Sequence, residues 1–102
     1  MAVRKSKEQN FQVSGNVTEI KEKCLTALNN GGFSKVSSND LLNEISANYK
    51  KATVVGKIQI VLTEQNDKTN INVKSTANSD NIFALFSSPN DKIMNAFKDN
   101  LG

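Results

Sequence analysis

The chain has 102 residues, enough for one domain, with 37% hydrophobic residues, 23% charged residues and a net charge of +3. It contains no histidine and one cysteine, Cys24. That excludes an intramolecular disulfide, a transition-metal site of imidazole or thiolate ligands within one chain, and any Ser-His or Cys-His nucleophile pair.

Residues 1–8, with Arg4, Lys5 and Lys7, read as a basic, flexible tail ahead of a single domain over 9–102. No apolar run of the roughly 7–15 residues that a secretory signal needs follows it. The longest apolar stretch, Ile82 to Phe86, is far short of the ~20 residues of a membrane span, so the expected location is the cytoplasm. From Gln9 to Val13 the pattern alternates, Phe11 and Val13 sharing one face, which predicts a short strand.

Ser14-Gly15-Asn16 ends that strand, and Asn16 followed three residues later by Glu19 predicts a capped helix start. Val17, Ile20, Cys24, Ala27 and Leu28 then recur three and four apart, forming one apolar stripe. Asn30-Gly31-Gly32 stops the helix, glycine supplying a left-handed residue. Cys24 lies on the stripe, so a buried, inert thiol is expected.

Phe33 to Ser37 reads as the second strand, with a turn at Ser38-Asn39-Asp40. Glu44 to Lys50 alternates with Ile45, Ala47 and Tyr49 on one face, while Leu41 and Leu42 belong clearly to neither segment. Gly56 opens the strongest strand, in which Ile58, Ile60 and Leu62 point one way. Asn66-Asp67-Lys68 makes a hairpin turn, and Asn70 to Ala77 returns antiparallel. Ser88-Pro89-Asn90-Asp91 opens a second helix, whose stripe is Ile93, Met94, Ala96, Phe97 and Leu101. The expected fold is α+β: a mostly antiparallel sheet in β-α-β-β-β-β-α order with two helices packed on one face.

Four stretches carry a family resemblance: Gly32-Phe33, Gly56 to Thr63, Asp67 to Val73, and the Phe-rich bend before a Lys-containing last helix, Phe86 to Phe97. In these the chain resembles small bacterial domains of unknown function with a TATA-binding-protein-like or helix-grip-like β-α-β4-α arrangement. The resemblance implies a fold and brings no catalytic residue with it.

The chemical constellations are sparse. Asp40 with Glu44, and Glu64 with Asp67, lie in turns and strand ends, where carboxylates are solvated. Gly31-Gly32 follows a helix and so does not form a phosphate loop, which precedes one. Lys35, Lys50, Lys51, Lys57, Lys68 and Lys74, with Ser34, lie on or beside strands, where they suit phosphates or blunt a sheet edge, and Tyr49 would be the residue to stack a base. Ile82, Phe83, Leu85 and Phe86 either tuck under the last helix or form an apolar interaction surface. No residue set provides a nucleophile with its base, so no enzyme, cofactor or metal is expected. The leading reading is a non-catalytic binding or interaction module that self-associates as a homo-oligomer through a sheet edge or Ile82 to Phe86. A carrier of a small hydrophobic ligand is the alternative, with nucleic-acid binding ranked behind both.

Overall fold

The computed structural model describes residues 4–51, 54–78 and 89–101. Its elements are β1 (Arg4–Ser14), α1 (Val17–Asn30), β2 (Ser34–Asn39), β3 (Glu44–Lys51), β4 (Val54–Gln65), β5 (Lys68–Asn78) and α2 (Pro89–Lys98), the order expected. The five strands form one antiparallel sheet in the order β1-β5-β4-β3-β2. Strands β2 to β5 are a meander, and β1 lies on the far side of β5. Because β1 and β2 occupy opposite edges, α1, which connects them, must cross the sheet.

Local chemistry accounts for the helix ends. The Asn16 side chain accepts a hydrogen bond from the Glu19 backbone N–H at 2.8 Å, satisfying one of the orphan donors of the first turn. At the other end Gly32 takes the left-handed conformation, φ 84°, and the Phe33 N–H reaches back to the Leu28 carbonyl at 3.0 Å. Gly31 serves a different need. A Cβ there would stand 2.5 Å from the Ala96 carbonyl oxygen, so its absence lets the end of α1 meet α2.

The sheet has two unlike faces. Ile45, Ile58, Ile60, Ile71 and Val73 are all at 0% exposure on the face beneath the helices, and Ile20, Cys24 and Leu28 of α1 meet them. The buried Thr69 hydroxyl donates to the Gly15 carbonyl at 2.9 Å, tying the β1–α1 loop to the β4–β5 hairpin. The outer face carries amides that bond one another across strands: Asn72 Nδ2 to Asn10 Oδ1 at 2.8 Å, and Gln12 Nε2 to Gln65 Oε1 at 3.2 Å.

Two boundaries differ from the sequence expectation. The strand expected over Gln9 to Val13 runs Arg4–Ser14, so from Arg4 onward the basic segment expected as a tail is paired with β5, as far as Arg4 opposite Asn78. Apolar alternation is silent there because half-buried Lys7 and Gln9 hold the face that Phe11 and Val13 hold further along. Strand β2 begins at Ser34 rather than Phe33, whose ring packs on Tyr49 with centroids 5.0 Å apart.

Candidate ligand-binding groove

A half-open groove of about 420 Å³ lies where the β1 edge, α1 and the end of α2 come together. Ile71 and Ile20 form its buried floor, and half-buried Phe11, Val13 and Leu101 form its walls. Ser14, Lys23 and Lys98 supply the polar lining. Alternation along β1 aims Phe11 and Val13 into this space, and the helical repeat places Lys23 one turn beyond Ile20. The volume falls within the ~300–1,000 Å³ usual for small-molecule sites.

Lys98 is held by two contacts. Its Nζ donates to Gln9 Oε1 at 2.9 Å and lies 5.7 Å from the centre of the Phe11 ring. The ammonium is thereby fixed beside the apolar wall. The space directly under α2 is filled, since Ile93, Met94 and Phe97 are at 0–1% exposure. The carrier reading anticipates a continuous internal cavity; among the described residues an apolar space of suitable size is the groove at the β1 edge.

The residues singled out from sequence fare unequally. Ile82, Phe83, Leu85 and Phe86 lie outside the described residues. Cys24 is fully buried, and burial pushes its thiol up from 9.0 to about 12, which keeps it protonated and unreactive at neutral pH. Tyr49, at 6% exposure against Phe33, has no free ring face for a base. Asp40 pairs with Lys21, and Glu44 accepts a hydrogen bond from Gln59 Nε2 at 2.9 Å, so the two acids serve separate contacts. Among the described residues, no three acidic or cysteine side chains are grouped to hold a metal ion, and no helix is long and apolar enough to cross a membrane.

Lys35, Lys50 and Lys57 do gather around one cavity, while Lys68 and Lys74 lie outside its lining. Leu41 and Leu42, unassigned by pattern, stand 94% and 59% exposed on the β2–β3 turn. There the Asn39 side chain accepts from both of their backbone N–H groups, at 3.1 and 3.3 Å. The groove itself was missed, although Phe11, Val13, Ile20 and Leu101 each carried an apolar signal.

No family model and no curated protein matches the chain. Solved structures do. A point mutant of norcoclaurine synthase from Thalictrum flavum, in complex with a transition-state analogue, superposes with a TM-score of 0.65 at 11% identity, covering 99% of this chain and 93% of that one. A truncated form of that protein gives 0.63 at 13% identity over 98% and 92% of the two chains. Its complex with dopamine and hydroxybenzaldehyde gives 0.63 at 12% identity over 98% and 85%. These neighbours are Bet v1-like, with an antiparallel sheet and helices, so the TATA-binding-protein-like part of the expectation is not supported. At such identity the likeness is one of fold alone: an antiparallel sheet with helices packed on one face.

Proposed function

We propose that the protein is a non-catalytic binding module that holds a small, largely apolar ligand in the groove between β1, α1 and α2. One observation carries this reading: an apolar floor and walls with two ammonium groups, of Lys23 and Lys98, placed at the lining. The arrangement suits a molecule with an apolar body and a polar end. Among the described residues the lining contains no carboxylate and no thiol, and Lys98 is bound to Gln9, so these residues offer no base beside a nucleophile. The Bet v1-like fold is compatible with a ligand-carrying role.

The test is a fluorescence titration with N-phenyl-1-naphthylamine, which is uncharged and so reads the apolar groove rather than the lysines. With about 17 non-hydrogen atoms at roughly 0.3 kcal/mol each, the expected Kd is of order 0.1 mM or tighter. Val13→Trp, which fills the groove from its half-buried wall, should weaken binding about tenfold or more with little change in Tm. Absence of saturable binding, or equal binding by a folded Val13→Trp protein, would refute the proposal.

A further inference from the structure

The register of the sheet sets a polar row across four strands on the outer face: Ser34 opposite Asn48, Asn48 opposite Lys57, and Lys57 opposite Thr76. Lys50 lies two residues along β3 from Asn48, which keeps it on the same face, and it pairs with Val55. Diagonal neighbours of this kind are about 7–8 Å apart, so the long side chains of Lys50 and Lys57 reach a common point. These residues line a cavity of about 410 Å³ together with Lys35.

Lys35 arrives there through an irregularity. Between the pairs Ser34–Asn48 and Ser37–Ser46, β2 advances three residues while β3 advances two, which is a β-bulge. In unbroken alternation Lys35 would oppose Ala47 on the face beneath the helices. The bulge lets Val36 turn inward, half-buried against the core, and leaves Lys35 exposed on the cavity. Its backbone has φ 51°, a left-handed conformation that glycine or asparagine adopts readily and lysine does not. A strained residue whose side chain joins two others of like charge is the kind of outlier from which a site is inferred.

We propose that Lys35, Lys50 and Lys57 form a binding site for a small, multiply charged phosphate: a phosphate monoester or a diphosphate. Three ammonium groups supply the charge, and Ser34, Asn48 and Thr76 bring hydroxyl and amide groups to the same lining. Among the described residues, no carboxylate is part of that lining. The carboxylates of the outer face are engaged elsewhere, Glu44 by Gln59 at 2.9 Å and Glu8 by Asn72 Nδ2 at 2.8 Å. Three like charges around one cavity repel, and a multivalent anion relieves that repulsion more than a monovalent one. The volume leaves room for an organic group or a second phosphoryl group beside the first. This site is separate from the groove at β1 and does not depend on it.

The experiment is a titration of the full chain with inorganic diphosphate, followed by backbone amide NMR. Saturable shifts are expected, concentrated at residues 34–36, 48–50 and 55–57, and weakened by added salt. Lys57→Gln should reduce affinity about tenfold or more. Lys35→Gly is the sharper variant, because it should weaken binding while raising Tm by several degrees as the left-handed strain is relieved. Lys92→Gln, exposed on α2, should leave binding within about twofold. Non-saturable shifts would overturn the proposal, as would equal weakening by Lys92→Gln or unchanged affinity in Lys35→Gly. Binding of a single-stranded oligonucleotide with no saturable diphosphate binding would also overturn it, and would assign the lysines to a nucleic-acid backbone instead.

Discussion

Cys24 makes the stability of this protein fall with alkaline pH, by an amount that follows from its place in the core. The thiol is fully buried among Ile20, Leu28 and the sheet, and desolvation raises it from 9.0 to about 12. In the unfolded chain it loses its proton near the ordinary value, so above about pH 9 the unfolded state binds fewer protons than the native one. Stability must then decrease as pH rises, from the unfolded value up to the folded one. Between pH 8 and 10 the unfolded thiol goes from about one-tenth to about nine-tenths ionised while the folded thiol stays protonated. Integrated, this costs about 1.4 kcal/mol. The figure barely depends on where above pH 11 the folded value lies, because the unfolded group alone titrates in this interval. The measurement is a difference between two proteins, so that whatever both share cancels. Urea denaturation of the wild type and of Cys24→Ala is compared at pH 8 and pH 10. The alanine variant loses a pH-independent packing contribution, whereas the wild type should lose about 1.4 kcal/mol more than the variant between the two pH values. Equal losses would show that the thiol is ionised in the native state or exposed to solvent, and would refute its assignment to the dry core.

Two further substitutions test the sheet. Leu62→Ala should cost about 2–5 kcal/mol and Val61→Ala less than about 1 kcal/mol, because Leu62 is 3% exposed under the helices while Val61 faces outward; the reverse order in urea denaturation would place β4 one residue out of register. Gly56→Ala should destabilise by about 1–3 kcal/mol in the same assay, since its Cβ would stand 2.5 Å from the Thr76 carbonyl oxygen and 2.8 Å from Ile93 Cδ1; an unchanged midpoint would mean that β4, β5 and α2 do not meet at this point.

Much of the fold was legible because its signals are local. The stripe of Ile20, Cys24, Ala27 and Leu28, the Asn16 cap and the glycine stop are properties of residues within a few positions of one another, and the structure keeps all of them. Alternation at Ile58, Ile60 and Leu62 likewise named the buried face of β4. Legibility failed where the inward positions are polar. Lys7 and Gln9 conceal the first half of β1, and its length shows only in the pairing with β5. The bases that would stack on Tyr49 are excluded by Phe33, sixteen positions away in sequence, whose ring covers it. Neither contact leaves a periodic trace.

The two cavities were legible only in part. Phe11 and Lys98 stand on one groove because β1 returns to the edge beside β5 and α2 ends above it, a meeting of residues 87 positions apart. Lys35, Lys50 and Lys57 could be named as strand lysines, yet their shared cavity depends on a bulge that reverses the direction of Lys35. The sequence by itself determined which residues turn toward a core and where helices start and stop, since capping and periodicity act over four residues or fewer. Beyond the β4–β5 hairpin, whose turn is local, the tertiary structure decided which edges and faces are neighbours, because the place of β1 and the bulge in β2 arise from hydrogen bonds between strands that no local pattern encodes.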